Sequence, residues 1–126
     1  MYTYLSIALG GALGSMARYA TGVYVGRWLG TTFPWGTLLI NIFGSFLIGV
    51  FAESFALRWD TSQTTRAFLI VGICGGYTTF STFSLDIVTL INRGEILAAC
   101  AYIVASVALG ILALYAGLHA MRLIFT

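Results

Sequence analysis

The chain has 126 residues, of which 60% are hydrophobic and 8% charged, and its mean hydropathy is +0.96. That composition excludes a soluble domain and fits an integral membrane protein. A net charge of +2 rests on arginines alone, lysine being absent, and they are too few and too scattered for a nucleic-acid surface.

Four apolar segments, at about 2–28, 35–57, 66–91 and 95–125, are each near or above the roughly 20 residues that a helix needs to cross the hydrocarbon core. They predict an all-α membrane protein: one four-helix transmembrane domain over 1–126. The first segment has no basic leader and is too long for a signal peptide, so it is expected to remain as a helix. Its Gly10, Gly14, Gly22 and Gly26 share an i+4 stripe of the kind that lets helices approach closely. Arg18 interrupts the stripe. A guanidinium near mid-segment is costly in lipid, so it faces protein or a wet vestibule, where it either pairs structurally or attracts anions.

A turn at Gly30-Thr31-Thr32-Phe33-Pro34 leads into the second segment. Here Thr37, Asn41 and Gly44 or Ser45 fall on one helical face. The Asn41 amide is open to two uses, as an interhelical clamp or as a donor to an anion. After Glu53, near the end of this helix, a second polar turn runs from Arg58 to Gln63. Trp28, Trp35 and Trp59 sit at predicted helix ends, where indoles favour the water boundary.

The third segment carries the most informative run, Gly75-Gly76-Tyr77-Thr78-Thr79-Phe80-Ser81-Thr82-Phe83-Ser84, rich in glycine and hydroxyls within apolar surroundings. Backbone at bilayer depth has no water to bond, so a break there must be buried in protein or line a wet cavity. The run therefore predicts a third helix broken at mid-membrane, with the break as the site. Phe80 and Phe83, three residues apart, project from one face. Their electropositive ring edges favour a desolvated anion without a cation that would trap it. Thr79, Ser81 and Thr82 add hydroxyls beside them. The fourth segment repeats a polar spacing at Tyr102, Ser106 and Gly110, which fits either packing or a wet track, and His119 is expected at the interface. Cys74 and Cys100 read as buried small hydrophobes rather than a disulfide or metal pair.

At or beyond the span ends, Arg58, Arg66 and Arg122 are expected on one side and Arg27 and Arg93 on the other, a split of three to two. Orientation normally rests on a clear cytoplasmic excess of positive charge. With so small a bias, and with four helices few to enclose a pathway, an antiparallel dual-topology homodimer is expected, in which two identical chains make an inverted repeat.

The run Gly75 to Phe83, with Trp35-Gly36-Thr37-Leu38-Leu39-Ile40-Asn41-Ile42-Phe43-Gly44 and Gly11-Ala12-Leu13-Gly14-Ser15-Met16-Ala17-Arg18-Tyr19, closely resembles the small bacterial fluoride channels called Fluc, over essentially the whole chain. The resemblance implies a passive fluoride channel of the bacterial cytoplasmic membrane, a lipid-embedded antiparallel dimer with two pores. It implies Phe80 and Phe83 as pore rings and Asn41 as a fluoride-facing donor, with Thr37, Ser81, Thr82, Tyr102 and Ser106 in the polar lining. It also implies a central sodium ion at the dimer interface, held by backbone carbonyls that here belong to Gly75 and Thr78. An alternative is a small multidrug-type, proton-coupled exporter, also a four-helix dual-topology dimer. That design resembles one with a membrane-embedded glutamate in its first helix, and this chain has no carboxylate there. A noncatalytic assembly subunit is opposed by the polar break, and an enzyme by the lack of a nucleophile and base pair.

Overall fold

The computed structural model describes residues 2–58 and 60–126; Trp59, expected at a helix end, lies outside them. All regular structure among the described residues is helical, in agreement with the all-α expectation. Helix α1 spans Tyr2–Leu29 and α2 spans Trp35–Leu57. A composite rod follows, made of α3 (Gln63–Arg66), a π-helical stretch (Ala67–Cys74), α4 (Gly75–Tyr77) and α5 (Ser81–Asn92). Helix α6 spans Ile96–Phe125.

Among the described residues, three stretches are long and apolar enough to cross a membrane, namely Trp35–Leu57, Gln63–Asn92 and Ile96–Phe125. At 28 residues α1 matches them in length, but two arginines and many glycine, serine, threonine and tyrosine residues dilute its apolarity.

The rods run alternately up and down. Thr3 meets Thr64, Gly10 packs on Phe68 and Gly72, and Thr21 meets Tyr77, so α1 runs parallel to the first half of the third rod. Ser45 faces Gly110, Gly49 faces Leu114 and Glu53 pairs with Arg122, so α2 and α6 run parallel in the opposite sense. Sheet structure plays no part in positioning the site.

At one end of the bundle Arg58 donates to the Phe125 carbonyl (2.9 Å), Arg122 donates to Glu53 (2.8 Å) and Arg66 lies over the Phe55 ring (5.4 Å). At the other end Arg93 donates to the Thr32 carbonyl (2.9 Å). Glycine makes the seams possible. A Cβ on Gly76 would meet the Gly11 carbonyl oxygen at 2.7 Å, and one on Gly10 would meet the Phe68 carbonyl oxygen at 2.6 Å.

The glycine stripe of α1 divides at Arg18: Gly10 and Gly14 are buried against the third rod, whereas Gly22 and Gly26 open onto a cavity. Near the opposite end, Leu38, Leu90, Ala99 and Tyr102 form a buried cluster, with Phe33 and Phe83 packed against it. Cys74 is buried, but Cys100 is exposed on the outer side of α6, which corrects its assignment as a buried hydrophobe. Most of α6 is exposed and apolar, including Leu97, Val104, Ile111, Leu112 and Leu123, a surface matched to lipid.

Candidate functional site

The break is shorter than the glycine run suggested. Gly75 and Gly76 are helical, and the helix is interrupted only at Thr78, Thr79 and Phe80, where Thr78 turns extended (φ −82°, ψ 159°). Gly76 serves close approach to α1, so the glycine pair is a packing device placed just before the interruption.

What replaces the missing helical bonds defines the site. In an unbroken helix the Thr79 amide would bond the Gly75 carbonyl, and the Thr82 amide would bond that of Thr78. Instead the Thr79 N–H donates to Asn41 Oδ1 (2.9 Å), and the Thr82 N–H donates to the Thr79 hydroxyl (3.2 Å). Asn41 Nδ2 donates back to the Thr79 carbonyl (3.0 Å), so one side chain of α2 satisfies both backbone groups of a break residue. The Gly75 and Thr78 carbonyls thereby lose their ordinary helical donors. An amide has two N–H donors. In Asn41 one of them holds Thr79, and the side chain also lines a cleft.

That cleft, about 310 Å³, is walled by Asn41, Ser45, Ile48, Thr78, Thr79, Phe80, Phe83, Ser106 and Val107. Four of the expected pathway residues thus meet: Asn41, Phe80, Phe83 and Ser106. The two rings lie 5.8 Å apart, tilted by 47°. The Ser106 hydroxyl is buried and has no hydrogen-bond partner among the described residues. In this single chain Phe80 is 78% exposed.

Other expected residues line a second, larger cavity of about 520 Å³. Thr37, Thr82 and Arg18 belong to it, together with Asp86 and Arg93. Arg18 has no ion-pair partner within 4.0 Å among the described residues. Thr79 lines both spaces. Tyr102 is fully buried and lines neither; its ring packs on Phe83 (centroids 5.1 Å) and its hydroxyl donates to Asp86 Oδ2 (2.9 Å). Ser81 is exposed, with its hydroxyl 3.5 Å from that of Thr79.

Sequence reasoning passed over two groups. Asp86 has no place in the motif reading, although an ionisable side chain within an apolar span is a signal in itself. Thr79 was noted only as a hydroxyl, whereas its backbone is what Asn41 holds.

A chain of this kind, with a hydroxyl-rich interruption in an apolar helix, paired rings and polar side chains converging on two spaces that share Thr79, is a multi-pass membrane protein built to pass a small solute rather than to make or break bonds. The profile of the CrcB-like protein, Camphor Resistance (CrcB) family matches residues 5–118, and the chain belongs to that family. It is 60% identical over 120 residues to the fluoride-specific ion channel FluC of Nitrobacter winogradskyi, covering 95% of each chain. It is 62% identical to fluoride-specific ion channel FluC 1 of Nitrobacter hamburgensis, again over 95% of each. A fluoride-specific ion channel FluC of Rhodospirillum centenum is 51% identical over 97% of both chains.

Proposed function

We propose that this protein is a fluoride-selective channel that lets fluoride leave the cell passively across the bacterial cytoplasmic membrane, protecting against fluoride toxicity. The observation that carries the reading is the cleft in which Asn41, Phe80, Phe83 and the unpartnered Ser106 hydroxyl converge. Fluoride is small and strongly hydrated, so its lost water must be replaced by close donors. Ser106 and the second Asn41 proton are such donors, and the ring edges of Phe80 and Phe83 add weak attraction that does not hold the ion fast. Arg18 and Arg93, lining the larger cavity, raise the local anion concentration ahead of the narrow part. Thr37, Thr82 and Asp86, the last bonded by the Tyr102 hydroxyl, supply the polar surroundings on that side, and the exposed Ser81 hydroxyl lies beside Thr79. The names of the relatives support the same ion.

The working unit in this reading is an antiparallel dual-topology homodimer of four-span chains. Packing of Gly10 and Gly14 on the apolar stretch from Phe68 to Tyr77 supports α1 as the fourth span, because it sets α1 at the depth of its neighbour. Exposure of Phe80 and Gly75 in the single chain supports a second copy over that face. Sodium is the proposed central cation. The carbonyls of Gly75 and Thr78, deprived of helical donors, suit a hard ion that prefers oxygen, and when bound it would fix the break between the two chains.

The test is efflux from liposomes containing the purified chain, with fluoride and chloride followed side by side. Fluoride should leave without a proton gradient and chloride should stay. Comparable fluxes, or a strict need for a pH gradient, would refute the reading. Phe80→Ile and Phe83→Ile should each slow fluoride while the dimer stays assembled. Two lysines added to the 58–63 loop should force one orientation and abolish flux, which co-expression with an oppositely biased chain restores.

A further inference from the structure

We infer that Tyr77 and Thr21 form a positioning pair that ties the break to the wall of the larger cavity, so that Arg18 and the cleft keep a fixed relation. The hydroxyls of Thr21 and Tyr77 are 3.0 Å apart. Thr21 also donates to the Ala17 carbonyl at 2.8 Å. A threonine hydroxyl has one proton, so the phenol must be the donor between the two. A directed relay follows: Tyr77 O–H to Thr21 Oγ1, and Thr21 O–H to the peptide oxygen of Ala17, the residue before Arg18. Tyr77 is buried and is the last helical residue before the break.

The same ring meets α2. It makes an edge-to-face contact with Phe43 (centroids 6.1 Å, 75° between planes), two residues after Asn41. Gly44 leaves the space that the Thr78 methyl and the Tyr77 ring occupy. The two sides of the interruption are therefore held by different helices. Asn41 of α2 holds Thr79 by its backbone, while α1 holds Tyr77 by its side chain. The α4 backbone already packs on α1, Gly76 against Gly11 and Tyr77 against Gly14. The Tyr77 to Thr21 bond adds a directed side-chain tie to the same helix, one turn nearer the cavity that holds Arg18.

The chemistry predicts unequal losses. Thr21→Val leaves a buried phenol O–H without an acceptor, whereas Tyr77→Phe only removes a donor from a hydroxyl that keeps its own bond to Ala17. Flux per incorporated protein should fall about tenfold in Thr21→Val and about threefold in Tyr77→Phe. The double variant, with neither polar partner, should conduct better than Thr21→Val alone. Thr21→Ser, which restores the acceptor, should return flux and the fluoride-to-chloride ratio to wild type. Additive losses in the double variant, or no rescue by serine, would overturn the pair.

The flux measurements rest on the channel reading above, so a second measurement is independent of it. Amide hydrogen exchange by mass spectrometry in detergent should show residues 77–83 exchanging about three- to tenfold faster in Thr21→Val, with the Gly49 to Gly117 seam unchanged. Unchanged exchange at 77–83 would overturn the inference. If wild type passes no fluoride while this exchange pattern holds, the channel reading fails and the positioning pair stands.

Discussion

Replacing Asn41 with leucine removes a side chain of nearly the same size and leaves two backbone groups without partners. The Thr79 N–H loses its acceptor at 2.9 Å, and the Thr79 carbonyl loses its donor at 3.0 Å. Each buried orphan costs about 1–3 kcal/mol, so the observed arrangement of the break is weakened by roughly 2–6 kcal/mol. Even the lower bound corresponds to about a thirtyfold change in an equilibrium. The helices themselves should survive, since none of their internal bonds involves the Asn41 side chain. Circular dichroism should therefore match wild type, while fluoride efflux from liposomes falls about thirtyfold or more. Asn41→Asp keeps an acceptor for the Thr79 N–H but sets a carboxylate oxygen against the Thr79 carbonyl and puts negative charge in an anion path, so it should conduct no better than leucine. A leucine variant passing fluoride at the wild-type rate would show that the clamp does not hold the conducting form.

Three further outcomes follow from single residues. Gly76→Ala places a Cβ 2.7 Å from the Gly11 carbonyl oxygen, backbone against backbone, so it should lower thermal stability by about 2 kcal/mol or more, whereas Gly11→Ala, whose Cβ meets nothing within 4 Å, should stay within about 0.5 kcal/mol; thermal melts of the two variants in detergent compare them. Ser106→Ala breaks no hydrogen bond, so stability should hold while fluoride flux falls about three- to tenfold, and a loss of both in melts and efflux would mean the hydroxyl is structural. Arg122→Leu leaves the Glu53 carboxylate, 9% exposed, without its cation, while Glu53→Gln frees an arginine that is 60% exposed; melts should show the leucine variant losing about 3 kcal/mol and the glutamine variant about 1 kcal/mol.

The sequence disclosed what depends on side-chain type at fixed spacing. The apolar stretches, the rings at Phe80 and Phe83 and the amide at Asn41 are local patterns, and the cleft assembles three of those side chains with Ser106. It misplaced what depends on the neighbour. A glycine pair before a polar run reads as part of the break, but Gly76 is helical and faces the backbone of Gly11, a contact 65 residues away that no local pattern contains. For the same reason the π-helical stretch at Ala67–Cys74 was not foreseen. The wider turn coincides with the glycine seam, where Gly10 and Gly14 of α1 pack on Phe68, Gly72 and Ile73.

The division between the two spaces also has a physical cause. A continuous polar channel would leave backbone groups hydrated along its length and would pass any small anion, so selectivity needs a short stretch where water is replaced by fixed groups. In the proposed channel reading Thr79 marks that stretch, since it lines both the cavity that holds Arg18 and the cleft that holds the rings. Its amide and carbonyl are committed to Asn41 and its hydroxyl accepts from the Thr82 amide, with the Ser81 hydroxyl 3.5 Å away. In the proposed channel reading, an ion passing Thr79 meets that hydroxyl on a backbone held by Asn41. Because Asn41 holds that backbone from α2 and Tyr77 steadies the preceding turn from α1, the position of this hydroxyl is set by three helices at once, and motion of any one of them changes what the ion meets.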